Sequence, residues 1–327
     1  MRQCLAILAF LLFPAHLAGA IAAEPAQAHI AFLGTLPRSN PNEARALGWF
    51  TDRLREHGWV EGQNLTLTYR ASEGVNERYA ELAAELIAKH PDVIVAEGPE
   101  AVQAIEQRTK TIPIVMWGVP DPVGLGLVAS LGRPGANITG LSMGTEDVLG
   151  KGMQFLTEVR PGVLRIVYLG YGEPRYWKLT EENSTAAAQR LGVALQMIPL
   201  TSPADFDAAF ATLAKQPPDA LIVSSAPIFF AHTEKFADFA SVHHLPTLTF
   251  APVMVRRGLL MAYHANSGNL FERLAAIVDK SLRGTRPADI PIEQPTKFDL
   301  VLNLKTAKAI GLTIPSAILA RVDEVID

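Results

Sequence analysis

The chain predicts an α/β fold of two doubly wound parallel-sheet lobes joined by a hinge. Three observations carry that expectation. Apolar Val/Ile/Leu runs alternate with helical patterns, the alternation comes in two series, and the two series share a local sequence pattern.

The first series starts with a strand at His29 to Gly34. A helix follows, with Asn40 as its N-cap, Pro41 at its first position and Gly58 as its stop. Next come a strand at Leu65 to Tyr69, a helix at Asn76 to Lys89 and a strand at Val93 to Ala96. A helix at Glu100 to Arg108 and a strand at Ile112 to Trp117 complete the series. Asp121, before Pro122, is placed to cap a short helix containing Leu125 to Leu131.

The second series starts near Leu164. Its strands are Arg165 to Leu169, Ala194 to Pro199, Ala220 to Ser224 and Thr247 to Phe250, with helices at about 175–191, 203–215 and 228–242. Lys89-His90-Pro91-Asp92-Val93-Ile94-Val95 resembles Gln216-Pro217-Pro218-Asp219-Ala220-Leu221-Ile222. Each is followed, one helix later, by an Ile/Leu-Pro strand at Ile112-Pro113 and Leu245-Pro246. Asp92 lies 127 residues before Asp219, and Pro113 lies 133 before Pro246. Two lobes of one βαβ design explain this better than a single long sheet, because each series alone approaches a domain in size. The chain is expected to cross between lobes near Thr139 to Gly144. Further crossings follow Leu259 to Tyr263, around a long helix at about 269–283 and a final segment at 292–327. The expected first lobe is 28–142 plus about 265–295, and the second is 143–264 plus about 296–327.

The amino terminus decides the expected compartment. Met1, Arg2 and Gln3 precede an apolar run from Leu5 to Phe13, far short of the roughly 20 residues that span a bilayer. Ala18-Gly19-Ala20 and Ala20-Ile21-Ala22 then offer small-residue cleavage sites. Residues 1–23 are therefore expected to be a cleaved secretory signal peptide and the product periplasmic. Cys4, the single cysteine, falls inside that segment, which leaves a thiol-free product suited to an oxidising compartment. Loss of Arg2 moves the formal charge from −4 to −5. With no basic block, a nucleic-acid surface is not indicated.

In an open parallel sheet, ligands bind beyond the carboxyl ends of the strands, and two facing lobes would line one cleft with those ends. In the first lobe they are Gly34-Thr35, Glu97-Gly98-Pro99-Glu100 and Gly118-Val119-Pro120-Asp121. In the second they are Gly170-Tyr171, Ser224-Ser225-Ala226-Pro227, Phe250-Ala251-Pro252 and Tyr263-His264. Most precede a helix, whose free N–H groups favour a carboxylate or phosphate. Trp117, Tyr171, Tyr176, Phe250 and Tyr263 can supply flat apolar faces. Gly34, Pro99 and Pro227 serve equally well as turn formers, Trp117 as core, and Asp121 as a cap alone. The ligand contacts expected are Thr35, Gly98, Asp121, Tyr171, Ser224, Ser225, Phe250 and Tyr263.

Catalytic patterns are missing. No G-x-S-x-G or H-E-x-x-H is present, and adjacent His243 and His244 cannot share a metal from one helix. Gly144 to Gly152 imitates a phosphate loop, but five residues separate Gly144 from Gly150 and Gly152 stands where a magnesium-holding Ser/Thr belongs. Gly124-x-Gly126 lacks the third glycine of a dinucleotide fold. Neither a cofactor nor a metal is expected.

Three segments resemble a known family. Ile112-Pro113-Ile114-Val115 leads into Asp121-Pro122-Val123-Gly124, Gly126-Leu127-Val128-Ala129-Ser130-Leu131, Arg133-Pro134-Gly135, Asn137 and Thr139-Gly140. This is similar to the signature of the ABC-transporter substrate-binding family that includes tryptophan- and tyrosine-binding members. Leu54 to Asn64 resembles a second family segment. Gln294 to Phe298, Asn303 to Ala307, Gly311 to Pro315 and Ala320 to Ile326 resemble its C-terminal signature. The resemblance covers nearly the whole chain beyond the signal. It implies a type I periplasmic-binding fold, no catalysis, and an ABC permease with its ATPase as partners. It also implies a monomer that closes at its hinge on a small molecule, an aromatic amino acid or related carboxylate. A module feeding a sensor kinase or chemoreceptor is the alternative reading. Two departures stand out. Glu97-Gly98-Pro99-Glu100 replaces the Gly-Thr-Pro of many members, and Ala262-Tyr263-His264 replaces Ser-Tyr-Gly. A carboxylate at a helix start would occupy anion-binding N–H groups and repel an acidic ligand end.

Overall fold

A computed structural model describes residues 27–143, 145–171 and 174–327. Residues 1–23, expected above to be a signal peptide, Gly144 and the ring of Tyr176 lie outside the residues so described. The first sheet is built from β1 (Ala28–Gly34), β2 (Leu65–Ala71), β3 (Val93–Glu97), β4 (Ile114–Val119) and β5 (Ile138–Ser142), in the order β2-β1-β3-β4-β5, all parallel. Its helices are α1 (Pro41–Glu56), α2 (Arg78–Ile87) and α3 (Gly98–Glu106). The ends of α1 follow the sequence: the Asn40 carboxamide oxygen accepts from Asn42 N, Pro41 opens the helix, and Gly58 turns away at φ +92°.

The second sheet contains β6 (Arg165–Tyr171), β7 (Ala194–Leu200), β8 (Ala220–Val223), β9 (Thr247–Thr249), β10 (Met261–Ala265), β11 (Phe298–Asn303) and β12 (Glu324–Ile326). Its order, β12-β11-β10-β9-β8-β6-β7, repeats that of the first sheet from β7 to β10. Around it lie α4 (Thr145–Val159), α5 (Pro174–Arg190), α6 (Pro203–Lys215), α7 (Pro227–Ala231), α8 (Thr233–Val242) and α9 (Pro252–Arg256). The single helix expected at 228–242 is two helices that meet at His232. Near the carboxyl terminus, α11 (Leu304–Ala309) and α12 (Ser316–Leu319) follow β11, after α10 (Ser267–Leu282).

The repeated sequence pattern has one job in both sheets. Asp92, just before β3, accepts from His29 N at the start of β1 (2.7 Å). Asp219, just before β8, accepts from Leu164 N and Arg165 N at the start of β6 (2.9 and 2.8 Å). The two prolines open the next strand: Pro113 O accepts from Ile94 N and Pro246 O from Leu221 N. A proline fits there because the strand-opening position needs its carbonyl and not an N–H.

Three local expectations fail. Ile138–Ser142, read as part of a connection, is the fifth strand. Its Gly140 has φ +136°, and a Cβ there would lie 2.0 Å from Met116 O, so strand pairing at this point requires glycine. No helix forms over 125–131. Asp121 Oδ1 accepts from Gly124 N (2.8 Å) and Gly126 takes φ +70°, so the segment closes as successive turns. Finally, β11 runs antiparallel to β10, with Ala265 opposite Phe298. The chain leaves the carboxyl end of β10 for α10, which packs against α1, β3, β4 and β5 of the first sheet, and returns past Glu293. It therefore enters β11 from the end where β10 finished, and must run the other way.

Each sheet is covered on both faces by apolar side chains. Phe32, Phe50, Val95 and Leu274 pack on one face of the first sheet, and Leu33, Leu86, Ile94 and Ile105 on the other. Met153, Leu156, Ile222 and Leu248 pack on one face of the second, and Phe206, Phe229, Phe236 and Val223 on the other. Gly150 and Gly152 of the apparent phosphate loop belong to this packing. Gly152 sits in α4 against Leu248, whose Cδ2 would lie 2.7 Å from an added Cβ.

Candidate functional site

The carboxyl ends of the strands of both sheets meet at a cavity of about 680 Å³, within the size range of small-molecule pockets. Seven of the eight expected contacts line it: Thr35, Gly98, Tyr171, Ser224, Ser225, Phe250 and Tyr263. Asp121 does not. Its carboxylate is turned onto Gly124 N in the loop behind neighbouring Pro120, which does line the space. Trp117 also stays out of the lining and packs against Phe271 at 5.4 Å between ring centroids.

The first-sheet wall is built from two tight turns and a carboxylate. Gly98 opens α3 at φ +82°, and Gly118, one residue before the end of β4, takes φ +72° at a register shift. A Cβ on Gly118 would lie 3.6 Å from Gly98 N, so the two turns nest backbone to backbone. Glu97, the last residue of β3, accepts from Thr35 N with Oε2 (2.8 Å), and Thr35 Oγ1 pairs with the Tyr79 hydroxyl (3.2 Å).

Behind this wall lies a second carboxyl, Glu43, against the Tyr69 hydroxyl (2.9 Å). The same hydroxyl donates to Leu36 O (2.6 Å). Burial pushes the Glu43 carboxyl above its ordinary range, with the Tyr69 hydrogen bond pulling the other way. Burial also pushes Glu97 up to about 7. The nearby Glu43 charge adds to this, and the bond from Thr35 opposes it. Burial holds the Tyr69 and Tyr79 phenols protonated, reinforced by the carboxylates around them.

The opposite wall is aromatic. Tyr263 stacks on Phe298 (5.3 Å) and leans on Phe155 (5.3 Å), over which the Arg321 guanidinium sits at 4.5 Å. Burial raises the Tyr263 phenol as well. Tyr168 stacks on Trp177 (6.0 Å), and Phe250 and half-buried Tyr171 complete the surface. Ser224 accepts from Ala226 N with its hydroxyl, and its own N–H is tied to Leu169 O, which fixes the turn before α7. His264 faces the cavity with Nδ1 2.9 Å from Ala265 O.

Sequence reasoning missed Tyr79, Tyr168, Met143 and Phe298 among the lining residues. Tyr79 lies within a helix and Tyr168 within a strand, where nothing local separates a cavity wall from core. Phe298 reaches the site only because β11 starts at the cleft. Among the described residues, no group of three or more His, Cys, Asp or Glu could hold a metal ion, and no helix is long and apolar enough to cross a membrane.

Two similar sheets, with strand ends facing across a ring-lined cavity, define a two-lobed ligand-binding protein of the type I periplasmic-binding class. The chain belongs to the ABC transporter substrate binding protein family, whose pattern matches residues 38–326. A tyrosine-binding protein of Clostridioides difficile is 24% identical over 286 residues, covering 85% of this chain and 80% of that one. A conserved domain protein of Vibrio cholerae superposes with TM-score 0.83 at 26% identity, covering 91% of this chain and 99% of the other. A Streptococcus pneumoniae protein crystallised with L-Trp gives TM-score 0.82 at 24% identity, covering 92% and 100%.

Proposed function

We propose that this protein captures a small aromatic molecule between its lobes, closes on it at the hinge, and presents the closed form to an ABC permease and its ATPase. The single observation that supports this best is the cavity itself. Its walls come from the strand ends of two separate sheets, so a rigid-body swing of one lobe against the other opens or buries it. The segments at 265–267 and 293–298 belong to the hinge in this reading, with lobes of 28–142 plus about 265–295 and 143–264 plus about 296–327. Thr35, Gly98, Tyr171, Ser224, Ser225, Phe250 and Tyr263 are the proposed contacts. The aromatic amino acids named for the relatives set the scale of the ligand. The protein acts as a monomer in the periplasm, to which the amino-terminal segment directs it.

The test is a mass spectrum of the molecule that co-purifies and is released by denaturation, followed by thermal stabilisation with that molecule. The Tyr263→Ala variant should fold and lose at least 80% of the ligand-induced rise in Tm. Full stabilisation in this variant and in a Phe250→Ala counterpart would show that the ligand sits elsewhere.

A further inference from the structure

We infer, resting on the cleft reading above, that Glu43 is a positioning residue for the first-lobe wall of the cavity. It stands as a neutral carboxylic acid and donates to the Tyr69 hydroxyl. The Tyr69 proton is then left to hold the loop that carries Thr35. Hydrogen-bond bookkeeping at Tyr69 points there. Leu36 O can only accept, and it lies 2.6 Å from the Tyr69 hydroxyl. A phenol has one proton, and this shorter bond takes it. Glu43 Oε1 lies 2.9 Å from the same hydroxyl oxygen. Two oxygens at that distance need a proton between them, and the carboxyl is left to supply it. Glu43 is only 5% exposed, so a charge there would also lack water.

The surroundings agree. Gly34 lets Tyr69 and Glu97 approach together: an added Cβ there would lie 2.4 Å from the Tyr69 hydroxyl and 3.2 Å from Glu97 Oε2. Facing the cluster are Tyr69 from β2, Tyr79 from α2 and Glu97 from β3, with Glu100 of α3 acting on Tyr79. β1 and β4 add no titratable side chain at this end, and Arg45 of α1 is exposed. The other bases are engaged elsewhere: Arg38 with Glu61, Arg70 with Glu85, Arg78 with Glu73 and Arg273 of α10 with Glu293. Among the described residues, neither Glu43 nor Glu97 forms an ion pair. Each charge therefore penalises the other, and the pair keeps one proton. Glu97 Oε2 takes the Thr35 N–H and needs no proton of its own, so the proton falls to Glu43. As pH rises and Glu43 ionises, its carboxylate draws the Tyr69 proton away from Leu36 O. The loop loses that tie, and Thr35 is held less firmly against the cavity it lines.

The experiment takes the full protein, stripped of co-purified ligand, through infrared difference spectroscopy at pH 6 and calorimetric titration with L-tryptophan from pH 6 to 8.5. The spectrum should hold the carbonyl band of a buried carboxylic acid that Glu43→Gln lacks. Tyr69→Phe should shift that band by removing its acceptor. L-Tryptophan should bind the wild type at least fivefold more weakly at pH 8.5 than at pH 6. Glu43→Gln, whose carboxamide N–H can donate to Tyr69 as the acid does, should stay within twofold of its pH 6 affinity throughout. A merely structural Glu43 would give neither the band nor a profile that the isosteric amide flattens. Should Tyr69→Phe fold poorly, the two comparisons with Glu43→Gln decide. Absence of the band, a band that Tyr69→Phe leaves in place, or equal pH profiles in wild type and Glu43→Gln would each overturn the inference. If the profiles are equal and Tyr263→Ala abolishes binding, the positioning role falls while the cleft reading stands. If L-tryptophan gives no heat, the molecule released on denaturation takes its place in the titration, and if none is released both fall.

Discussion

Glu97 offers the sharpest quantitative check, because its cost to the ligand-free fold depends on pH in a direction the geometry dictates. Its carboxyl is held at about 7 in the folded protein against an ordinary 4.5. At about 1.4 kcal/mol per unit, the upper limit is about 3 kcal/mol, and coupling to Glu43 makes about 2–3 kcal/mol the working figure. A raised folded-state value means that the stabilising contribution is complete below about pH 4.5 and is lost as pH rises through about 7. Glu97→Gln removes the titration while its carboxamide oxygen can still accept from Thr35 N. Ligand-free wild type and variant should therefore unfold alike near pH 4.5. By pH 8 the variant should be the more stable by about 2–3 kcal/mol, or about 5–10 °C in Tm. Urea unfolding at half-unit steps from pH 4.5 to 8.5 measures the gap. Parallel curves, or a gap that opens toward acid, would refute the claim that desolvation and the Glu43 charge raise this carboxyl. Glu43 is raised by burial too, so Glu43→Gln should open a gap of the same sign. The double variant should gain less than the sum of the two, because each charge is part of the other's penalty.

Other substitutions test the scaffold. Gly140→Ala places a methyl 2.0 Å from Met116 O at a positive φ, and should cost more than about 4 kcal/mol, seen as loss of soluble protein or of the cooperative transition. Asp219→Ala removes the acceptor for two backbone N–H groups at the head of β6 and should cost about 2 kcal/mol in denaturant unfolding. Asp92→Ala, with one such bond, should cost about half as much, and equal losses would mean that the two aspartates are not equivalent.

The division between what sequence and tertiary structure determine can be followed residue by residue. Parallel strands buried on both faces read as unbroken apolar runs, so β1, β3, β6 and β8 were legible with little error. Helix ends written in Asn40, Pro41 and Gly58 were equally plain. The repeat around Asp92 and Asp219 could be seen as a pattern, but its purpose could not, because the bonded strand heads lie 63 and 54 residues away in the chain. Ile138–Ser142 was missed because a glycine that a strand needs for close backbone approach looks, by itself, like a turn.

The sequence by itself determined two sheets of one repeated βαβ design and the strand-end turns that meet at the cleft. These follow from local periodicity and from where helices start. Only the tertiary structure decided that Asp121 turns away, that Tyr79, Tyr168 and Phe298 join the wall, and that β11 enters backwards. It alone also decided that half-buried Glu97 lies in front of Glu43. Those facts depend on which side of a helix or strand faces the gap and on charges brought together across 54 residues of chain, and neither periodicity nor spacing encodes either one.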